Sequence, residues 1–205
     1  MTWKFFYGPK TCALASRIAL EEAGAAYEPV RVDFASGEQT KPAYLAINPK
    51  GRVPALVTDR GVLTENVAIL AFVAQSHPDK NLAPLSDPFA FAEMQAFNAY
   101  LASTVHVNHA HKHRGHRWAT EESSFLDMRR KVPETMAASF RLIENDFFRG
   151  PWVMGEAYSV ADAYLFTVTR WLEGDGVDVA QFPRVAEHLA RMGERPSVKA
   201  ALAYE

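Results

Sequence analysis

The sequence predicts a small α/β domain with a mixed sheet, followed by an all-helical domain. Three observations predict it. Up to residue 76, short β-favouring runs alternate with helix-spaced ones. Residues 77–87 (HPDKNLAPLSD) hold two prolines and no periodicity, as a linker would. Beyond residue 87 the apolar stripes recur at spacings of three and four. The expected division is 1–78 and 87–205.

Residues 3–7 (WKFFY) favour a strand, and Gly8-Pro9 breaks it. From Thr11 to Ala23, Leu14, Ala15, Ile18, Ala19 and Ala23 share one helical face, and Gly24 ends the run. Residues 28–33 read as a second strand, and 41–46 as a short helix before a loop at 48–51. Residues 53–57 read as a strand, joined through a turn at 59–61 to Val62-Leu63. Residues 65–76 (ENVAILAFVAQS) are apolar almost all round, which predicts a buried helix.

In the second half, Met94, Phe97, Leu101 and Val105 form one helical stripe. Phe125, Met128, Val132, Met136, Ile143 and Phe147 form another, with Pro133 as a kink and Gly150-Pro151 as the stop. Ser159-Val-Ala-Asp162 has the spacing of a capping box, in which the serine oxygen and the acid three residues later satisfy free N–H groups reciprocally. Tyr164, Leu165, Val168, Trp171 and Leu172 follow on one helix, and two short helices near 183–193 and 196–202 close the chain.

Composition narrows the function. Apolar residues make up 48 % of the 205 and charged residues 22 %, an ordinary globular balance. A net charge of −2 lacks the basic excess of a nucleic-acid binder. No apolar run approaches the roughly 18 residues needed to span a bilayer. The first residues, MTWKFFYGPKTCALASR, lack a secretory h-region, so a cytoplasmic location is expected. The single cysteine, Cys12, forms no internal disulfide and fits a reducing compartment.

Three constellations can carry chemistry. Cys12 falls in the first turn of a helix, where the dipole and free N–H groups favour a thiolate; a small buried residue is the plain alternative. Val53-Pro54 puts a proline into a strand. Either the bond is cis, turning the Val53 N–H and C=O toward an extended peptide, or this is an edge strand. Thr64-Glu65-Asn66 opens a helix whose N-terminus can hold a carboxylate while Glu65 holds an ammonium; ordinary capping is the alternative.

Taken together, FYGPKTCALASRIALEEAG, YLAINPKGRVPALV, LTENVAILAFVAQ and SVADAYLF resemble bacterial cytosolic glutathione transferases, especially the beta class. The resemblance implies a thioredoxin-like N-terminal domain, an all-α C-terminal domain and a homodimer serving detoxification. It implies glutathione as co-substrate, its cysteinyl backbone on Val53 and cis-Pro54, its γ-glutamyl end on Glu65 and Asn66, with Thr11 and Ala13 beside its thiol. Cys12 sits where that class has its cysteine, and His106 matches a histidine facing the same cleft. Tyr7 is a third candidate to act on the thiol. Two positions depart from the pattern: Ala13 follows the cysteine where the class has serine, and Val107 follows His106 where lysine is usual. Asn66 replaces the commoner serine with another hydrogen-bond donor.

Five histidines fall within residues 106–116. His106, His109 and His113 share a face, but no carboxylate or second cysteine stands near, so no metal is expected. Their charge offsets a helix C-terminus, or gives the cleft a cationic mouth suited to an anionic or electron-rich second substrate. The expected activity is conjugation of the glutathione thiolate to small electrophiles. The alternatives are monothiol disulfide exchange through Cys12 and a non-catalytic ligand binder. No nucleic-acid or membrane partner is expected.

Overall fold

The computed structural model describes residues 2–205. The first half forms β1 (Trp3–Tyr7), α1 (Ala13–Ala23), β2 (Tyr27–Arg31), α2 (Pro42–Leu45), β3 (Ala55–Thr58), β4 (Gly61–Thr64) and α3 (Asn66–Ser76). The sheet order is β2-β1-β3-β4. β1 pairs with β2 in parallel, Phe5 opposite Pro29, and with β3 antiparallel, Phe5 opposite Leu56. β4 completes the hairpin, Leu63 opposite Leu56. This is the mixed sheet that the βαβ-then-hairpin pattern predicts, in the thioredoxin-like form that the resemblance implies. Pro29 is tolerated because β2 is an edge strand.

Local chemistry sets the boundaries. Gly24 takes φ 63° and returns its N–H to Glu21 and Leu20, which ends α1. β3 starts at Ala55 rather than Val53, and the Val53–Pro54 peptide just before it is cis. Phe5 and Tyr7 alternate inward from β1 onto α1, whose Ala15, Ile18, Ala19 and Leu20 are sealed from solvent.

The second half is helical: α4 (Pro88–Tyr100), α5 (His106–Ala110), α6 (Glu122–Leu142), α7 (Val160–Thr169), α8 (Pro183–Gly193) and α9 (Pro196–Leu202). Asp87 caps α4 by accepting from the N–H groups of Phe89 at 2.9 Å and Ala90 at 3.1 Å. A π turn, Leu101–Val105, joins α4 to α5 without a break, and the His106 N–H donates to Leu101 O five residues back. α6 continues through Pro133 and runs into a second π turn, Ile143–Phe147. α7 ends at Thr169, short of the expected Leu172. Trp171 and Leu172 lie in a turn whose carbonyls accept from Asp175 N–H.

All ten residues of α7 are buried. Its Ala163 and Phe166 pack against Leu14 and Ile18 of α1, so the two halves share their core. The expected capping box is present at its start. Asp162 accepts from Ser159 N at 2.7 Å, Val153 N at 2.8 Å and His188 Nε2 at 3.0 Å, one buried carboxylate joining three segments.

Candidate functional site

A cleft of about 210 Å³ opens between the two halves. Its floor comes from three segments of the sheet domain: Thr11 and Cys12, Val53 and Pro54, Glu65 and Asn66. Its opposite wall comes from α5 and the turn after α7, with His106, His109 and Trp171. Arg52, Arg114 and Arg117 stand around it.

Cys12 occupies the N-cap of α1, but its side chain makes no capping bond to the helix. The half-buried Sγ instead turns to Val53 O at 3.6 Å. Burial pushes the thiol up to about 11; Arg114 pulls it down and Glu65 pushes it up, and both effects are smaller than burial. Desolvation is the largest of these effects, and it opposes a thiolate on Cys12 itself.

Val53 presents main-chain atoms at the cleft edge. Its carbonyl takes the thiol, and among the described residues its N–H donates to no backbone carbonyl. Glu65 holds φ 73°, a left-handed value unusual for a residue with a side chain, and its carboxylate is exposed and paired with Lys50. Lys50 Nζ also reaches Thr64 Oγ1 at 2.7 Å. Asn66 begins α3, so its main-chain N–H belongs to the unpaired first turn. Its carboxamide faces inward and bonds to Cys12 O and Ser16 Oγ. The side chain therefore serves the scaffold, whereas the sequence reading gave it to the ligand.

Three further expectations change. Tyr7 does not line the cleft. Its buried ring lies under the Arg17 guanidinium at 4.7 Å and meets Tyr204 edge-on at 6.4 Å, because an inward position at the end of β1 faces α1. Ala13 is fully buried, is not a cleft residue, and gives its N–H to Thr11 Oγ1 at 3.3 Å. His106 does line the cleft, its ring 5.1 Å from Trp171. Yet burial, then the charges of Arg114, His109, Arg117 and Arg52, push it down to about 4. It is a neutral imidazole at pH 7 and does not titrate near neutrality.

The histidine run does not act as one unit. His109 stacks on Trp171 at 4.3 Å and bonds through Nδ1 to the buried Asp175 at 2.7 Å. Lys112 shares that carboxylate at 3.4 Å. Among the described residues no three His, Cys, Asp or Glu side chains gather as metal ligands would. Sequence reasoning missed Arg52, Arg114, Arg117, Trp171 and Asp175 as cleft or supporting groups. The arginines lie in GRVP and HRGHRW, where no local spacing distinguishes a cleft cation from a solvated one.

Comparison with known proteins agrees with this geometry. Residues 1–75 match the glutathione S-transferase N-terminal domain family, and residues 125–191 the glutathione S-transferase C-terminal domain family. The chain is 34 % identical to the glutathione S-transferase GstA of Escherichia coli O157:H7, over 98 % of each chain. It superposes on a glutathione transferase homologue from Sulfitobacter, solved with bound glutathione. The TM-score is 0.96 and the identity 52 %, covering 99 % of this chain and 98 % of that one. A beta-class glutathione S-transferase from Sphingomonas chungbukensis superposes with a TM-score of 0.85 at 31 % identity, over 98 % of each chain. Fold, cleft and likeness along the whole chain lead to one assignment: the protein belongs to the glutathione S-transferase family.

Proposed function

We propose that this enzyme binds glutathione along the Val53–Pro54 and Glu65–Asn66 floor and transfers its thiolate to a small electrophile in the space facing α5. One observation carries the reading: three segments far apart in sequence, at Cys12, Val53 and Glu65, converge on a single cleft. The open Val53 N–H suits the cysteinyl backbone, and the Asn66 main-chain N–H at a helix start suits the γ-glutamyl carboxylate. Glu65 would exchange its Lys50 partner for the ligand ammonium.

In the reaction the glutathione sulfur forms a bond to the electrophilic carbon, and the leaving group departs with its electron pair. A free thiol has a pKa of about 8.5, so the chain must favour the anion at neutral pH. Two neutral donors lie at hand: the Cys12 S–H, which can turn from Val53 O toward the ligand sulfur, and the His106 imidazole N–H. The arginine charges favour the anion from a distance. With its pKa near 11, Cys12 is a donor rather than a nucleophile, which favours transfer over monothiol disulfide exchange.

We take 1–78 as the glutathione-binding domain and 87–205 as the domain lining the electrophile site. We assign the enzyme to detoxification in the cytoplasm, as a homodimer. Phe89, 75 % exposed, and Val62, 43 % exposed, are apolar side chains that a partner subunit would cover.

Glutathione added to a thermal melt should raise the midpoint, and thioether formation from chlorodinitrobenzene should follow absorbance. No shift would remove the glutathione site; a shift without turnover would leave a ligand binder.

A further inference from the structure

The cleft carries more positive charge than its proposed ligand can use. Lys10, Arg52, Arg114 and Arg117 line it, against one carboxylate, Glu65, which already has Lys50. None of the three guanidinium groups meets a carboxylate among the described residues. They act on one another and on their neighbours. Arg117 is pushed below its ordinary range by burial, then by Arg114 and Arg52. All three push His106 down as well. Like charges gathered without counter-ions cost free energy, and a bound anion removes that cost.

Glutathione accounts for part of this charge, on the reading proposed above. Its γ-glutamyl carboxylate belongs at the start of α3, and its ammonium at Glu65. Its glycyl carboxylate neutralises one cation, for which Arg52, next to Val53, is placed. Arg114 and Arg117 remain on the helical side, together with Trp118, Trp171 and His109.

The segment that carries the two arginines is built firmly. Arg114 N–H donates to Ala110 O at 2.9 Å, Arg117 N–H to Arg114 O at 3.0 Å, and Trp118 N–H to Gly115 O at 2.9 Å. Gly115 lets the turn press on α6: a Cβ there would meet Phe125 Cδ1 at 2.9 Å. His106 adds no charge at neutral pH, and His113 is shifted down by burial and by Lys112.

We propose that the second substrate is an anionic electrophile, a small aromatic or unsaturated carboxylate. Arg114 and Arg117 clamp its carboxylate, while the indoles of Trp118 and Trp171 cover its apolar part. One guanidinium fork matches a carboxylate in charge and in planar geometry, and the second arginine adds further donors and attraction. The arginines take no part in bond making. With an aromatic acceptor the thiolate attacks the electrophilic carbon, the C–S bond forms, and the leaving group departs with its electron pair. With an unsaturated acceptor the C–S bond forms as the π bond breaks, and the adjacent carbon takes a proton from water.

The test compares chlorodinitrobenzoate with chlorodinitrobenzene at saturating glutathione. Each kcat/KM is normalised to its uncatalysed rate. The parent enzyme should favour the carboxylate acceptor at least tenfold, and added salt should erode the preference. The Arg114→Gln, Arg117→Gln double variant should lower the ratio at least tenfold. A parent enzyme with no preference overturns the proposal, and that measurement needs no variant. So does a double variant that keeps the ratio while glutathione raises its melting midpoint less, because the arginines then serve glutathione. Absence of turnover with either acceptor, without any glutathione shift, removes the transferase reading itself; turnover without preference removes only the carboxylate clamp.

Discussion

Asn66 donates from Nδ2 to the main-chain oxygen of Cys12 at 2.8 Å, and its Oδ1 accepts from Ser16 Oγ at 2.6 Å. One buried carboxamide thus fastens the start of α3 to the start of α1. Two of the three segments that make the cleft floor are held in register by this residue.

Asn66→Ala should therefore cost about 2 kcal/mol of stability, since it strands a buried hydroxyl and a carbonyl. It should also raise KM for glutathione, because Cys12 and the α3 N-terminus lose their mutual spacing. Urea unfolding and steady-state kinetics check both. An unchanged midpoint would show that water replaces the carboxamide at no cost.

Glu65→Ala should weaken glutathione binding by roughly 1.5–3 kcal/mol, the scale of a hydrogen bond to a charged group. The position is exposed, so the fold should survive. Calorimetric titration reads the affinity directly, and parental affinity would move the ammonium site elsewhere.

Cys12 should alkylate slowly at neutral pH. With its pKa at about 11, only a small thiolate fraction exists at pH 7, and the rate should climb with pH well past 9. Mass spectrometry of the iodoacetamide-treated chain follows this. Cys12→Ala should slow transfer to chlorodinitrobenzene about tenfold, or 1.4 kcal/mol in the barrier, through loss of an S–H donor. Fast labelling at pH 7 would restore Cys12 as a reactive nucleophile.

His106 links stability to pH. Its folded value, about 4, lies below the ordinary 6.5. Between these values the unfolded chain binds more protons than the folded one, so stability rises with pH across that window. The contribution is present above 6.5 and is lost as pH falls toward 4. His106→Gln should flatten this part of a melting-temperature profile. The same drop in both proteins would assign the acid sensitivity to other groups.

Asp162→Ala should be the most destabilising of these changes, at about 3 kcal/mol or more. It removes an N-cap partner and leaves Val153 N–H and His188 without their buried acceptor. Denaturant midpoints measure the loss, and a shift below 1 kcal/mol would show that the segment relaxes to find other acceptors.

Much of this architecture was legible in residue order. The strand–helix–strand opening, the hairpin, the capping box at Ser159 and Asp162 and the glycine stop at Gly24 all follow local rules, and local rules act over a few residues. The site was legible as a set of segments but not as side-chain roles. Tyr7 faces the core because strand alternation decides its side, and periodicity alone does not say which side is the cleft. The roles of Cys12 and His106 turned on desolvation and on Arg114, which comes near them only through tertiary folding. Asp175 lies 66 residues from His109, beyond any spacing argument.

The π turn at Leu101–Val105 has an evolutionary consequence. A wide turn of this kind holds one more residue than a regular one, as if a single codon had been inserted into a plain helix. Everything before it keeps its packing phase against the core, whereas everything after it is rotated by about 100°, the angular step of one helical residue. Deleting Ser103 would restore the regular winding and swing His106, His109 and the arginine turn together out of alignment with the sheet domain. The helical wall of the cleft can thus be re-aimed as a block by a one-residue length change, without any alteration in the residues that compose it.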